Sequence, residues 1–168
     1  MNSSCAHLIA RAAAALLALA LAACGSPPKP PPPPEPPAQV NATISASEQL
    51  NPNIARRASP LMVRIYQLKS ATAFNASDFV SLYQHDQAEL GGDLVARDEI
   101  MLMPGEVRAW NKVLPPEVKC IAVLGAYRDL EHANWRSVVD VKPHGKQSLT
   151  VRADELDIRA AVSTEKLR

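Results

Sequence analysis

Histidine and cysteine are the residues of this chain with chemistry to offer, and they are few enough to weigh singly. Beyond residue 23 the imidazoles are His85, His132 and His144, far apart in the sequence. None stands at the HxxxH or HExxH spacing that sets two ligands on one helical face. His85-Asp86 with Glu89 would supply a carboxylate–imidazole cluster at a helix end, the raw material of a metal-dependent enzyme. A solvated polar face accounts for the same residues without a ligand, and is the preferred reading. No GxSxG elbow, phosphate-binding GxxxxGK[ST] loop or CxxC pair occurs. The stretch ELGGD reads as a turn, since neither a basic residue nor a following helix would hold a phosphate there. Nothing in the residue pattern supports catalysis, so an enzyme is not expected, nor a resident cofactor or metal.

Cysteine says more. Cys5 lies in the polar N-terminal stretch, and Cys120 sits in the apolar run VKCIAVLGAY, where a lone thiol reads as a small buried hydrophobe. Cys24 is different. It follows an apolar stretch, residues 12–23, that is shorter than the roughly 20 residues a membrane-spanning helix needs. Arg11 and the terminal amine precede that stretch, and small residues end it, which is the pattern of a secretory signal peptide. Leu21-Ala22-Ala23-Cys24 resembles the bacterial lipobox, which implies cleavage before Cys24 and acylation of it, an S-diacylglycerol on the thiol and an acyl group on the new N-terminus. An ordinary signal peptide with a chance cysteine is the alternative, but position, preceding residues and the polar linker that follows all favour lipidation. Each buried methylene contributes about 0.8 kcal/mol and two chains already anchor stably, so such an attachment is effectively permanent. Gly25, rather than an aspartate, follows the cysteine. By resemblance to enterobacterial sorting this implies the inner leaflet of the outer membrane, with the mature chain in the periplasm of a Gram-negative bacterium.

The chain divides accordingly into a signal peptide (1–23), a lipidated cysteine with a proline-rich linker (24–39) and a folded domain (40–168). Nine of the fifteen prolines fall between Pro27 and Pro37. Such a tract is extended and semi-rigid, about 3.1 Å per residue, giving a spacer of roughly 40 Å that cannot pack as a core. The remaining residues suffice for one domain with a proper core. The 18 basic and 17 acidic side chains balance to a net charge of +1, without a polybasic run. Neither nucleic acid nor an anionic leaflet is therefore expected as an electrostatic partner.

Strand patterns dominate the folded part. VNATISAS places Val40, Ala42, Ile44 and Ala46 on one face. PLMVRIYQL places Leu61, Val63 and Ile65 on one face and Met62, Arg64, Tyr66 and Leu68 on the other. CIAVLGAY is continuously apolar, as in a strand covered on both sides, and SVVDVKP and QSLTVRA alternate again. Period-2 runs between Pro, Gly and Asn clusters predict an antiparallel β-sandwich. One segment, FNASDFVSLYQHDQAELGG, is helical: Phe79, Leu82 and Tyr83 recur at helical spacing, Asn75 would cap with Asp78 three residues later, and Gly91-Gly92 would end the element. Trp110 and Trp135 read as buried anchors, and the closing STEKLR shows no pattern. Between the first two strands lies EQLNPNIARRASP, with an exposed-looking Ile54 beside Arg56 and Arg57. An arginine pair with a lone aliphatic on a loop suits a protein-binding tip.

ASPLMVRIYQLKS, FNASDFVSLY, MPGE and VLGAYRDLEHANWR resemble, in that order, segments of the type VI secretion outer-membrane lipoprotein family, TssJ (VasD/SciN), over about residues 41–151. The resemblance implies a transthyretin-like antiparallel β-sandwich with a small helical insertion, and a non-enzymatic role. It implies binding to the periplasmic C-terminal region of the inner-membrane subunit TssM, so as to assemble the trans-envelope complex. It implies too that the first inter-strand loop makes the contact: here Asn51, Pro52, Asn53, Ile54, Ala55, Arg56, Arg57 and Ala58. Tyr127, Arg128, Trp135 and Arg136 in AYRDLEHANWR are expected to lock a strand-to-loop crossing instead. The competing reading is a periplasmic lipoprotein that binds peptidoglycan or a small ligand.

Overall fold

The computed structural model describes residues 36–164; Cys5, the signal peptide, Cys24 and most of the proline tract lie outside the described residues, as does the end of STEKLR. In chain order the elements are β1 (Gln39–Ala46), β2 (Leu61–Leu68), α1 (Thr72–Ala76), α2 (Phe79–Leu90), a 3-10 turn (Gly91–Asp93), β3 (Leu94–Leu102), β4 (Val107–Val113), β5 (Cys120–Gly125), β6 (Arg136–Asp140), β7 (Lys146–Ala153) and β8 (Ile158–Thr164). They form two four-stranded sheets of order β4-β1-β7-β8 and β3-β2-β5-β6. The chain takes up this structure slightly before residue 40: Pro37 bridges to His144, and Ala38 is already buried.

The two faces of β2 and β5 show why these strands are buried almost throughout. Leu61, Val63 and Ile65 of β2 and Ile121 and Val123 of β5 point between the sheets, where they meet Val40, Ala42 and Ile44 of β1 and Leu149 and Val151 of β7. On the opposite face Tyr66, Leu68, Cys120, Ala122 and Leu124 pack against Phe74, Leu82 and Leu90 of the helices. The helical insertion is thus the lid of a second, smaller core, and the outer face of the second sheet is not left to water. At about 25 cal/mol per Å² of apolar surface, burial on both faces makes these two strands the energetic centre of the fold. Cys120 belongs to that second core; it is a buried free thiol, and burial pushes its pKa up.

Three features depart from the sequence reading. First, the sandwich is not wholly antiparallel: β1 runs parallel to β7 over its full length. A hairpin cannot make that pairing, but the long crossover from residue 47 to 145 can. Second, the residue that caps α2 is Asp78, not Asn75, which lies inside α1. The Asp78 carboxylate accepts from the Ser81 backbone N–H at 3.0 Å and from the Ser81 hydroxyl at 2.8 Å, and these bonds hold its pKa below the usual carboxylate range. Third, the segment of His85, Asp86 and Glu89 is not the wholly solvated face preferred from the sequence, because Asp86 is buried, and the three side chains form no cluster either. Backbone angles leave the helical region at His85 (φ −135°, ψ 30°), and beyond this kink Asp86 is buried while His85 is exposed. Asp86 binds Arg97, accepts from the Tyr66 hydroxyl at 3.3 Å and lies 3.6 Å from Arg64, whereas Glu89 accepts from Ser77. Burial is the main reason the Tyr66 phenol is raised to about 12. Among the described residues no group of three His, Cys, Asp or Glu side chains is placed to hold a metal ion.

Candidate partner-binding site

Strand β1 connects the two poles of the sandwich. At its start, Gln39 N–H donates to Gly145 O and Leu114 N–H to Ala38 O, so the chain enters beside residues 114–119 and 141–145. At its end, Ser47 N–H donates to Ala153 O and Gly105 N–H to Ser47 O. Eight extended residues separate these points, about 26 Å. The β1–β2 loop (47–60), the β5–β6 loop (126–135) and the β7–β8 turn (154–157) therefore gather at the pole away from the entry point.

Asn51 ties all three together. It is only 3% exposed and adopts a left-handed backbone conformation (φ 46°), one that asparagine tolerates better than most residues. Its backbone N–H donates to Glu155 O at 3.2 Å, across to the β7–β8 turn. Its side-chain amide donates to Pro60 O at 2.8 Å, closing its own loop, and its Oδ1 accepts from the Arg128 backbone N–H at 2.9 Å. Asn134 fastens the other two segments in the same way: its N–H donates to Leu156 O, its carbonyl accepts from Ile158, and its amide donates to Asp157 at 2.8 Å.

Above this base the loop holds its own shape. Asn53 N–H donates to Arg57 O, Arg56 N–H donates to Asn53 O, and Arg57 N–H donates to Asn53 Oδ1 at 3.0 Å. Arg56 takes the left-handed conformation the turn demands (φ 57°). Ile54 stands at the tip, fully exposed at 105%. A cleft of about 780 Å³ opens between the segments. It is lined by Pro52, Asn53, Ile54, Ala55 and Arg56 of the β1–β2 loop, Arg128 and Asp129 of the β5–β6 loop, and Glu155 and Leu156 of the β7–β8 turn. The Asp129 carboxylate lies 2.9 Å from His132 Nδ1, which raises the imidazole's pKa and lowers its own.

Of the eight loop residues expected at the contact, the structure places five on the cleft wall, with Arg57 and Ala58 exposed beside them. Asn51 is buried beneath and spends its side chain inside the protein. Arg128, expected to lock a crossing, does so with its backbone alone; its side chain is exposed on the cleft. Tyr127, Trp135 and Arg136 do hold the crossing. The Tyr127 ring lies where a side chain on Gly125 would be, only 2.8 Å from a Cβ placed there, so glycine is required. Trp135 packs edge-on to Phe79 at 5.4 Å, and Arg136 donates to the carbonyls of Phe74 and Ser77 at 3.1 and 2.9 Å. Glu155 and Leu156 carry no local signal in the sequence, for only the fold brings them to the loop.

Comparison with known proteins agrees with this architecture. The crystal structure of the type VI secretion lipoprotein TssJ1 from Pseudomonas aeruginosa is 37% identical, covers 78% of this chain and 100% of its own, and superposes with a TM-score of 0.75. A chain in a solved type VI membrane complex is 25% identical over 71% of this chain and 95% of its own, with a TM-score of 0.63. A chain in the structure described as the TssM C-terminal domain (869–1107) from EAEC shares the fold at 23% identity and a TM-score of 0.60, covering 76% of this chain and 98% of its own. No match was found among curated protein sequences. The family model described as type VI secretion lipoprotein, VasD, EvfM, TssJ, matches residues 38–156, which include both sheets' central strands and the candidate pole up to Leu156. The chain belongs to this family of type VI secretion lipoproteins.

Proposed function

We propose that this lipoprotein is held by acyl chains on Cys24 in the inner leaflet of the outer membrane, and that it binds the periplasmic C-terminal region of TssM through the pole built on residues 51–58. Its role on this reading is assembly of a trans-envelope complex, without catalysis. The observation that carries the proposal is the loop itself. It is rigidly fastened from below, lies at the pole away from the chain's entry, and still leaves Ile54 and two arginines facing solvent. Ordered backbone under an exposed aliphatic and arginines is the composition of an interface centre, because little conformational entropy remains to be lost on binding. Chains of the same fold in a type VI membrane complex and in a structure described as a TssM domain support that choice of partner.

Exchanging Arg56 and Arg57 together for Glu should weaken capture of the TssM periplasmic region by about tenfold or more, since charge reversal within an interface slows encounter and adds repulsion. Neither side chain has an ion-pair partner among the described residues, so thermal stability should be unchanged. Unaltered affinity at low and moderate salt would count against this pole. A small-ligand reading draws on the cleft's volume, which lies within the usual 300–1,000 Å³ range. The lining holds no aromatic side chain, however, and an apolar tip projecting into solvent suits a protein partner better.

A further inference from the structure

The arginines of the domain are unevenly employed. Arg64, Arg97, Arg108 and Arg159 are all committed to carboxylates, and Arg136 to two backbone carbonyls. The described arginines left without a partner are Arg56, Arg57, Arg128 and Arg152, and all four lie at the pole of the β1–β2 loop. Two of them, Arg56 and Arg128, line the 780 Å³ cleft from different loops, together with the apolar Pro52, Ala55 and Leu156. Two carboxylates share the lining. Asp129 is answered by His132 at 2.9 Å, which leaves Glu155 as the single lining carboxylate without an ion pair. With Asp129 paired to a protonated His132, the lining side chains left without an ion pair are two arginines and one carboxylate, an excess of one positive charge beside an apolar surface.

We propose that this cleft receives an acidic segment of the partner, one apolar side chain seated on Pro52, Ala55 and Leu156 with carboxylates on either side answered by Arg56 and Arg128. The inference rests on the assignment of this pole to TssM binding and specifies what that partner must present. Guanidinium suits such recognition, because its fork of donors engages a carboxylate with two parallel hydrogen bonds and it sheds water more readily than an ammonium. Arg128 becomes the specificity-determining residue that the β5–β6 loop contributes to the cleft. Its backbone N–H is what the fold uses, through Asn51, so its side chain is free for recognition.

The test measures the affinity of the mature lipoprotein, purified in detergent, for the purified periplasmic region of TssM over a salt series. Arg128→Glu should weaken binding by about tenfold at low salt and flatten the salt dependence, because the lost attraction is the screened one. Arg128→Lys should fall between, keeping charge but losing the fork. Arg152→Glu, at the same pole but outside this cleft, should change affinity less than about twofold. Equal affinity for the Arg128→Glu protein and the native one, or equal losses for Arg152→Glu and Arg128→Glu, would overturn the proposal. Replacing residues 52–58 by a Gly/Ser linker separates the two levels of inference. If that exchange abolishes binding while Arg128→Glu does not weaken it, the pole assignment stands and the acidic-segment receptor fails. If neither exchange weakens binding, the pole assignment itself fails. Should Arg128→Glu lower the melting temperature, Arg128→Ala reports the same loss of charge without the reversal.

Discussion

Asn51→Ala is expected to destabilise the domain by about 2–4 kcal/mol and to loosen the binding pole as it does so. Two side-chain hydrogen bonds vanish, to Pro60 O and from Arg128 N–H, each contributing about 1 kcal/mol net in a partly buried setting. Both bonds are partly buried, so losing them adds part of a desolvation penalty for the partners left behind. A further roughly 1 kcal/mol comes from the backbone, because alanine bears the full steric cost of a left-handed φ of 46°. Equilibrium urea denaturation gives the total. Asn51→Gly isolates the backbone contribution, since glycine adopts that conformation freely but restores neither hydrogen bond; it should recover about a third of the loss. A cost below about 1 kcal/mol for Asn51→Ala would show that the three segments are fastened by something other than this side chain. Because Asn51 joins the β1–β2 loop to residues 128 and 155, amide exchange should quicken in all three segments together.

Cys24→Ala is expected to move the protein wholly from the membrane fraction to the soluble periplasm when combined with a signal peptide cut by the ordinary signal peptidase. The reasoning is one of magnitude. Two or three acyl chains, at about 0.8 kcal/mol per buried methylene, exceed what any reversible surface contact of this domain supplies. Among the described residues no helix is long and apolar enough to cross a membrane. The domain's own stability should be untouched, since its cores are assembled from residue 38 onward. Retention of the variant in outer-membrane fractions after a high-salt wash would contradict the lipid anchor.

The parts of the fold that are legible in the sequence are those with two buried faces or one strongly alternating one. β2 and β5 announce themselves because both their faces meet a core, one between the sheets and one beneath the helices. β1 and β7 show period-2 alternation because their other face is open to water. β3, β4 and β8 leave no comparable pattern, and all three lie at sheet edges. An edge strand forms one ladder and buries less, so its side chains answer to local pairing instead of to a core. In β3 the run Arg97-Asp98-Glu99 looks like a solvated loop until Arg97 meets Asp86 and Asp98 meets Trp110 and Lys112. The same limit governs the site. The loop's tip is visible as Ile54 with Arg56 and Arg57, a local pattern. Its base is not, because the bond that identifies Asn51 as a fastener reaches 77 residues along the chain. The position of Arg128 is hidden for the same reason: its place on the cleft depends on how the β5–β6 loop meets the β1–β2 loop, and adjacency to Tyr127 does not encode that.

If the pole of the β1–β2 loop, away from the point where the chain enters the sandwich, is the surface TssM occupies, binding must shield that pole and spare the other. Hydrogen-exchange footprinting of the mature lipoprotein with and without the purified TssM periplasmic region tests this most directly. The expected result is protection in residues 51–58, 126–130 and 154–157, with residues 114–119 and 141–145 at the entry pole exchanging as they do in the free protein. Protection confined to the entry pole or to the helices, with the three loop segments unchanged, would contradict it.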